Sequence, residues 1–530
     1  EKRIIAGIQY ILKANSTIGH TCLPLSILCT KATRALEIGE SDFYSAYNNA
    51  LDEHELFEYW KKEREYVYLP DYYYAEQFIA DRINILKDFT SPEDFNYDVL
   101  IDIEEEEHNI RYEKIQRQAI TSAVSRGLMI LTGGPGTGKT TALNAIISIF
   151  EKQGRNVLLA APTGRAAKRM SETTGWEAQT IHRLLEINGG VSEGDTQGTM
   201  HFERNEKQPL EADVVIIDEF SMVDIYLMNA LLRAIVPGTR LIIVGDVNQL
   251  PSVGPGNVLK DMIQAEFCSV VRLHRIFRQA AESQIVMNAH RINSGEEISL
   301  ENASPDFMHL ERKDSASVIN VVVQLIMQKL PPHVDASPYD IQVLTPTRKG
   351  ELGVEHLNQV LQQYMNPADA GKVEREFHGV LFREKDKVMQ IKYDYQIRWT
   401  KKTSLGDVYE EGTGVFNGDT GIIREIIPVA EQVVVEFEEG KMVEYEYSQM
   451  DEMELAYAIT IHKSQGSEYP AIVLPVLGGP KMLLGRNLLY TAVTRAKKCV
   501  TTVGSSRVIQ GMIHNVNEQK RFSSLCQRIK

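Results

Sequence analysis

The sequence predicts an α/β protein with two parallel-sheet cores, an N-terminal helical domain and a small β-barrel insert. Apolar, strand-like runs alternate with helix-like segments in two regions of the chain. The first hundred residues show helical periodicity, and residues 378–450 are rich in β-branched residues, glycine and aromatic residues. A chain of 530 residues is also too long to fold around a single hydrophobic core, and typical domain sizes suggest about three or four domains.

The expected domain boundaries follow these changes in pattern. Residues 1–100 are predicted to be the helical domain, because apolar residues recur at helical spacing in IIAGIQYILKA, CLPLSILCTKATRAL and YAEQFIADRINILKD. Residues 101–295 are predicted to form the first core, which contains the nucleotide motif. The second core is predicted to combine residues 296–377 and 451–530, with the β-barrel insert of residues 378–450 between its two parts.

Composition narrows the class of protein. The formal net charge of −15 argues against a broadly basic surface, so any DNA site is expected in a local groove. The five cysteines have no C-x-x-C spacing, which indicates neither a zinc site nor a disulfide framework. No signal peptide or membrane-spanning apolar run occurs, which predicts a cytoplasmic protein without membrane contact. The chain begins at Glu1 without a methionine, which predicts that a natural N-terminal portion precedes it.

The clearest motif is MILTGGPGTGKTT, residues 129–141. It fits G-x-x-x-x-G-K-[ST] between a short apolar run and the helix-like TALNAIISIF, so a strand, a phosphate-binding loop and a helix are expected. Lys139 is expected to reach the β- and γ-phosphates of a triphosphate, and Thr140 is expected to offer its hydroxyl to Mg²⁺. The predicted nucleotide-binding residues of this loop are Gly134, Pro135, Gly136, Thr137, Gly138, Lys139, Thr140 and Thr141.

Two later strands end in polar side chains suited to the same ligand. Asp218 and Glu219 follow the apolar run Val214 to Ile217, and Gln249 follows the strand-like RLIIVGD. Asp218 is expected to hold the Mg²⁺, and Glu219 is expected to polarise the attacking water. The Gln249 amide could sense the γ-phosphate. A surface acid pair after a buried strand is the alternative for Asp218 and Glu219.

Polar and basic residues follow the strand VLLAA, at a place where open α/β sheets bind ligands. They could hold a DNA backbone, and solvated surface is the alternative interpretation. The segment QTIHRLL, which contains His182, also changes from polar to apolar residues. The residues that follow VLLAA are Thr163, Arg165, Lys168 and Arg169.

The second α/β region has no phosphate-binding loop of its own. Two cores with one nucleotide motif suggest that ATP sits in the cleft between them. Arg278 and Arg495 are the candidates for an arginine that stabilises charge on the transferring phosphoryl group. For either residue, an ordinary salt-bridge arginine is the alternative.

The order of these motifs resembles that of the RecD-like branch of superfamily 1 DNA helicases. The resemblance covers about residues 100–530, and the N-terminal part is similar to that of the longer, stand-alone members. The motifs that carry it include Gln116 with Ala119, GGPGTGKTT, APTGRAAKRM, QTIHRLL, IIDEFSMVD, GDVNQLPSVGPG, IFRQA, VLTPTRKG, FNGDTG, AYAITIHKSQGSEYP and LLYTAVTRAKK.

The resemblance implies two RecA-like cores and an SH3-like β-barrel insert. It implies a bacterial, monomeric, ATP-driven motor that moves 5′ to 3′ on single-stranded DNA and separates duplexes at junctions, in repair or recombination. Gln116 would read adenine, Arg278 and Arg495 would face the γ-phosphate, and Gln465 with Glu468 would couple the nucleotide to the DNA strand. The implied DNA contacts are Thr163, Arg165, His182, Thr345, Arg348, Thr460, Lys463 and Gln465.

A glycine-rich piece at residues 188–208 has two interpretations. Its short, weakly alternating stretches are compatible with a projecting β-hairpin, whereas the residues alone favour a plain surface loop. The resemblance implies that this piece is the pin that separates the strands.

Two other functions remain to be distinguished. A nucleotide-dependent DNA-binding switch, or a translocase without strand separation, would keep the phosphate-binding loop. A switch would not need a second core with its own arginine. Stimulation of ATP hydrolysis by single-stranded DNA would distinguish a DNA motor from a switch. A nuclease would need a cluster of metal-binding carboxylates apart from the ATP site, and the sequence indicates none.

Overall fold

The computed structural model describes residues 1–88, 96–188, 201–302, 304–403, 406–516 and 520–530. These ranges contain two parallel-sheet α/β cores, a helical N-terminal region and an antiparallel β insert, so the predicted fold class is confirmed. No helix in the described ranges is both long and apolar enough to cross a membrane.

The N-terminal region is mainly helical but also contains a three-stranded antiparallel sheet, in the order β1-β3-β2. The sequence analysis did not predict this sheet, whose strands β2 and β3 pair across a turn at Lys62 with a φ of 51°. The elements are α1 (Lys2–Ser16), β1 (Cys22–Pro24), α2 (Leu25–Leu36), α3 (Glu40–Asp52), β2 (Phe57–Lys61), β3 (Arg64–Tyr68) and α4 (Pro70–Asp88).

The first core is a six-stranded parallel sheet in the order β11-β4-β10-β9-β5-β6. Its central strands are buried on both faces, which explains their continuous apolar runs. The helices are α5 (Tyr97–Glu107), α6 (Lys114–Ser125), α7 (Lys139–Lys152), α8 (Gly164–Thr174), α9 (Ile181–Leu184), α10 (Ile225–Ala234), α11 (Val258–Ala265), α12 (Arg278–Ala281) and α13 (Gln284–Ser294). The strands are β4 (Leu128–Gly133), β5 (Val157–Ala161), β6 (Ala178–Thr180), β7 (Ile187–Asn188), β8 (His201–Phe202), β9 (Val214–Ile217), β10 (Arg240–Gly245) and β11 (Ser269–Leu273).

The predicted pin at residues 188–208 is described only at its two ends. Strands β7 and β8 pair antiparallel, with Ile187 opposite Phe202 and Asn188 opposite His201. This pairing is that of a hairpin base. Residues 189–200, where the rest of the predicted hairpin falls, lie outside the described residues.

The second core is a five-stranded parallel sheet in the order β12-β25-β24-β13-β23. The helices after residue 304 are α14 (Ser315–Gln324), α15 (Leu330–Val334), α16 (Val354–Met365), α17 (Arg486–Val493), α18 (Ser506–His514) and α19 (Leu525–Ile529). The strands after residue 304 are β12 (Phe307–Glu311), β13 (Gln342–Thr345), β14 (Glu374–Phe377), β15 (Val380–Arg383), β16 (Lys387–Gln390), β17 (Asp394–Lys402), β18 (Val408–Val415), β19 (Thr420–Ile427), β20 (Gln432–Phe437), β21 (Met442–Glu446), β22 (Met453–Leu455), β23 (Ala458–Thr460), β24 (Tyr469–Val476) and β25 (Ala496–Gly504).

The insert is a seven-stranded antiparallel sheet in the order β18-β17-β21-β20-β19-β16-β22, beside the hairpin of β14 and β15. The predicted small β-barrel corresponds to this antiparallel sheet. Within the described part of the chain, no pairing between the edge strands β18 and β22 closes the sheet. Register shifts in the β17/β18 and β19/β20 pairs mark irregularities in the sheet, of the kind that bend strands.

Candidate nucleotide site between the two cores

The phosphate-binding loop joins the end of β4 to the start of α7. Gly136 and Gly138 have φ angles of 70° and 81°, a region that favours glycine. A Cβ atom at Gly138 would lie 2.4 Å from Nε2 of Gln116, and one at Gly136 would lie 2.6 Å from Cβ of Ala280. The two glycines are therefore required by both backbone conformation and space.

Lys139 lies within this loop. Its Nζ donates to the carbonyl oxygens of Gly133 and, at 3.0 Å, of Gly134. Among the described residues, no carboxylate lies within ion-pair distance of Nζ, so its charge is available for an anionic ligand. Thr140 and Thr141 are exposed in the first turn of α7, where backbone N–H groups and the helix dipole favour phosphate. These features fit a triphosphate.

Gln116 ties α6 to the loop. Its Oε1 accepts from the backbone N–H of Glu113 at 3.0 Å, and its Nε2 donates to the Gly138 carbonyl at 3.2 Å. The residue is buried and closes a capping box at the start of α6. Both ends of its amide bind protein in this conformation, so adenine recognition by Gln116 stays a prediction.

The acid pair follows β9, as the sequence predicts. Glu219 has a φ of 50°, and its backbone N–H donates to Oδ1 of Asp218 at 2.7 Å. Burial raises the pKa of Asp218, and the neighbouring charge of Glu219 raises it further. Burial also acts to raise the pKa of Glu219, but the charges of Arg169, Arg495 and Lys139 outweigh it and lower that pKa. Glu219 is therefore ionised and suited to accept a proton.

Arg169 joins the two cores at this acid. Its Nη2 donates to Oε1 of Glu219 at 2.7 Å, and its Nη1 donates to Oε1 of Glu468 at 2.8 Å. Lys497 lies 3.8 Å from the other oxygen of Glu468. From the sequence, Arg169 was predicted only as a DNA contact, whereas the structure places it in the cleft beside Glu219. Glu468 lies in the same cleft, as expected of a coupling residue.

Arg495 approaches the same acid from the second core. Its guanidinium donates at 3.2 Å to the carbonyls of Thr491 and Ser467 and to the Thr494 hydroxyl. These partners are neutral, so the positive charge is not cancelled by them and it lowers the pKa of Glu219. Arg278 begins α12, but its side chain lies outside the described structure, so its role stays a prediction.

Gln249 and the residue after it lie where the cores meet. Gln249 is buried, and its Oε1 has no hydrogen-bond partner among the described residues. The backbone N–H of Leu250 donates to Oγ1 of Thr491 at 3.0 Å, and its carbonyl accepts from Nε2 of Gln465 at 2.7 Å. Gln465 of the second core therefore contacts the residue that follows Gln249, and its coupling role stays a prediction.

Residues that sequence analysis missed surround the phosphate-binding loop. Nε2 of His290 lies 2.9 Å from the Pro135 carbonyl, and the Tyr490 hydroxyl donates to Oδ2 of Asp246 at 2.5 Å. Tyr490 belongs to the quoted motif LLYTAVTRAKK, which was a usable signal. His290 lies on a helix with ordinary amphipathic spacing, and nothing in its local sequence marks it.

Two of the predicted DNA contacts on the first core are engaged with protein. Thr163 caps α8 by accepting from the Ala166 N–H at 3.2 Å. Arg165 is largely buried and donates to Thr420, to Ser467 and Tyr469 at 3.1 Å, and to Glu438 at 3.2 Å. It thus joins the first core to the second core and to the insert, and its contact with DNA stays a prediction.

His182 and Thr345 are also buried. The His182 ring centre lies 5.0 Å from that of Tyr393, and burial lowers the pKa of His182 to about 4, so the ring is neutral near pH 7. Oγ1 of Thr345 donates to the Leu352 carbonyl at 2.6 Å and so shapes the loop between them. Their roles in DNA binding stay predictions.

The remaining candidates form a more open group on the second core. Arg348 donates to both oxygens of Glu454, at 2.5 and 3.3 Å, and Nζ of Lys463 lies 3.8 Å from the same carboxylate. Thr460 accepts from the Lys463 N–H at 3.3 Å. Arg348 and Lys463 are cations of the kind that bind a phosphate backbone, although the charges of Glu454 and Glu355 both act on Arg348.

The fold and the cleft define a P-loop protein with two parallel-sheet cores and one nucleotide site between them. The chain matches the models for an AAA domain at residues 116–255, the ATP-dependent RecD-like DNA helicase SH3 domain at 357–437 and the UvrD-like helicase C-terminal domain at 455–503. In these matched domains the chain is similar to the RecD-like DNA helicases. The resemblance deduced from the motifs is confirmed.

Two curated relatives carry RecD names, in agreement with these domain matches. The ATP-dependent RecD2 DNA helicase of Deinococcus radiodurans is 34% identical over 416 residues, which cover 78% of this chain and 52% of that protein. The RecBCD enzyme subunit RecD of Mycobacterium tuberculosis is 29% identical and covers 78% of this chain and 73% of that protein. The chain thus spans about half the length of the first relative. Bacteroides Pif1 bound to single-stranded DNA aligns at 18% identity with a TM-score of 0.40, over 76% of this chain and 94% of that one.

Proposed function

We propose that this chain is an ATP-dependent DNA helicase that translocates 5′ to 3′ on single-stranded DNA and unwinds duplex DNA in repair or recombination. The observation that carries the proposal is the Arg169 bridge, because one guanidinium contacts Glu219 of the first core and Glu468 of the second. A nucleotide that changes the charge beside Glu219 would thereby change the contact between the cores. This is the requirement for a motor driven by hydrolysis.

In the proposed mechanism, the loop N–H groups and Lys139 bind the β- and γ-phosphates of ATP. Glu219 accepts a proton from the attacking water, and Arg495 stabilises negative charge that develops on the γ-phosphoryl group. Asp218 and Thr140 would hold Mg²⁺, since a buried carboxylate and an exposed hydroxyl are oxygen ligands of the kind this ion prefers. The ion would neutralise charge on the phosphates.

The DNA strand is proposed to cross the two cores. Arg348, Thr460 and Lys463 supply an open cationic group on the second core. Gln465 lies two residues after Lys463 and donates to the Leu250 carbonyl, so a movement at the nucleotide can be passed to this cationic group through a short stretch of chain. The 5′ to 3′ direction and the monomeric, cytoplasmic state are parts of the proposal supported by the RecD-like family alone.

Strand separation is assigned in this proposal to residues 188–208. The antiparallel pairing of β7 with β8 supports a hairpin base at this place. A hairpin fixed to the first core could hold a base pair apart while the motor pulls one strand.

An unwinding assay tests the proposal. Duplexes with a 5′ tail, a 3′ tail or no tail are mixed with ATP and Mg²⁺, and ATP hydrolysis is measured with and without single-stranded DNA. We expect unwinding of the 5′-tailed duplex, stimulation by single-stranded DNA, and neither activity in Lys139→Ala. Unwinding of the 3′-tailed duplex alone would refute the direction. Stimulated hydrolysis with displacement of streptavidin from DNA, but no unwinding, would identify a translocase, and nucleotide-dependent binding without hydrolysis would identify a switch.

A further inference from the structure

The last described segment, residues 520–530, lies on the first core and the N-terminal region. Helix α19 packs against α4 and α11. The buried carboxylate of Glu76 accepts from Oγ of Ser523 at 3.0 Å and from the Ser524 N–H at 3.2 Å. The Arg528 guanidinium lies 4.4 Å from the ring centres of both Tyr59 and Tyr73. We call residues 520–530 the C-terminal arm.

Arg521 of this arm binds the loop that follows Gln249. Its Nη2 donates to the Ser252 carbonyl at 2.6 Å, and its Nη1 donates to the carbonyls of Gly254 at 3.0 Å and Gly256 at 2.7 Å. Three carbonyls on alternate residues of one loop therefore point at one guanidinium. A planar fork of N–H donors can satisfy all three, whereas a lysine ammonium is a point charge without that geometry.

The turn at residues 19–21 fixes where Arg521 lies. The Gly19 carbonyl accepts from the Gly256 N–H at 3.0 Å, and Nδ1 of His20 accepts from the Phe522 N–H at 3.0 Å. Burial lowers the pKa of His20 to about 4, so its ring is neutral and can accept this bond. The turn therefore holds the loop and the arm together, with Arg521 between them. Asp224, the acid whose charge faces Arg521, caps α10 at the edge of the same loop.

The other end of the loop is held by the second core. Both backbone groups of Leu250 bind second-core side chains, those of Thr491 and Gln465. Pro251 follows, and its ring restricts the backbone between this anchor and the Ser252 carbonyl that Arg521 binds. The buried Oε1 of Gln249 has no partner within the described ranges. No hydrogen bond within the described ranges therefore holds this oxygen, whereas the backbone on the C-terminal side of Gln249 is anchored at Leu250.

We propose that Arg521 is a positioning residue for ATP hydrolysis, which holds the loop of residues 252–256 so that Gln249 points toward the γ-phosphate. The inference rests on the proposed function and deepens it. Because Arg521 acts through Gln249 and has no contact with the phosphate-binding loop, its loss should slow turnover and leave the affinity for ATP unchanged.

Substitution of Arg521 tests this role. In the full chain with saturating single-stranded DNA, we expect Arg521→Ala to lower kcat by roughly 10- to 100-fold, the scale of a small misplacement of a catalytic group. KM for ATP should stay within about twofold. Arg521→Lys should give an intermediate kcat. Lys520→Ala is the matched control, since exposed Lys520 lies over the Phe522 ring and does not contact the loop; its kcat should equal that of the wild type.

A double-mutant cycle separates positioning from general stability. If Arg521 acts through Gln249, Arg521→Ala should lower kcat no further in a Gln249→Ala background. Additive losses, an unchanged kcat in Arg521→Ala, or a kcat loss fully explained by a smaller folded fraction would overturn the inference. If Arg521→Ala does not fold, the same double-mutant cycle is measured with Arg521→Lys in its place. A wild-type protein without ATP hydrolysis would refute the proposed function instead, and an active wild type with an unaffected Arg521→Ala would refute only this inference.

Discussion

Replacing Arg495 with alanine should slow ATP turnover by a factor on the order of 10³ and leave ATP binding near normal. The side chain is only 2% exposed, and its charge acts on Glu219 across the cleft. A factor of 10³ corresponds to about 4 kcal/mol of activation free energy, because each tenfold change is about 1.4 kcal/mol. The expected loss is therefore that of an arginine whose charge is needed in the transition state.

Arg495 also contributes to folding, and the two effects must be separated. Its guanidinium donates to the Thr491 and Ser467 carbonyls and to the Thr494 hydroxyl. Alanine removes this donor, and although the Thr491 carbonyl still accepts from the Thr494 hydroxyl at 3.0 Å, an acceptor left unpaired and out of reach of water costs about 1–3 kcal/mol. The melting temperature of Arg495→Ala should therefore fall. Turnover has to be expressed per folded molecule.

The assay measures kcat with saturating single-stranded DNA, the dissociation constant of a fluorescent ATP analogue, and the melting temperature. Arg383→Ala is the matched control, because Arg383 is 5% exposed and binds Glu374 and the Asn366 carbonyl away from the cleft. That variant should melt at a lower temperature and keep its kcat per folded molecule. If Arg495→Ala behaves in the same way, Arg495 is structural and the assignment is wrong.

Three further predictions test the acid and the pin. Glu219→Gln should bind ATP with Mg²⁺ but not cleave it, and a collapse of ATP affinity would mean that Glu219 is structural. Because Arg169 lowers the pKa of Glu219, and a general base works only when ionised, Arg169→Gln should move the acid limb of the kcat–pH profile to higher pH. Arg169→Lys should move it less, and an unmoved limb in Arg169→Gln would contradict the pairing. Replacing residues 189–200 by a Gly-Ser link, which keeps β7 and β8, should abolish unwinding and preserve DNA-stimulated ATP hydrolysis; equal loss of both would show that the segment supports the first core.

Local patterns were enough to predict the elements of the cores. The apolar runs at β5 and β9 coincide with the observed strands, and the phosphate-binding motif lies between β4 and α7 as expected. Strands buried on both faces carry continuous apolar runs, so their sequences are unambiguous. The N-terminal strands β2 and β3 were not predicted because each has only five residues and they lie between segments with helical periodicity. The structure shows Tyr59 and Tyr73 on either side of Arg528.

Contacts between distant residues were not predictable in this way. The acidic run of residues 104–107 is of a kind that usually forms solvated surface, but Glu104 and Glu105 are buried. Lys152 pairs with Glu104, and Arg117 lies 3.1 Å from Glu105. A run of like charges predicts solvation only when no partner is known, and these partners lie on other helices. The cross-cleft role of Arg169 was missed for the same reason.

The Arg169 guanidinium is shared between an acid of the first core and an acid of the second core, and this sharing has a consequence for Glu219. Arg169 occupies Oε1 of Glu219, and the described contacts leave the other oxygen to accept a proton from water. If Arg169 belonged to Glu219 alone, the pair would be fixed within the first core and insensitive to closure. Because the same guanidinium also binds Glu468, movement of the second core changes how strongly it holds Glu219. In the proposed mechanism, the basicity of Glu219 as the general base is thereby tied to the distance between the cores, which is the quantity that the proposed motor would change in every cycle.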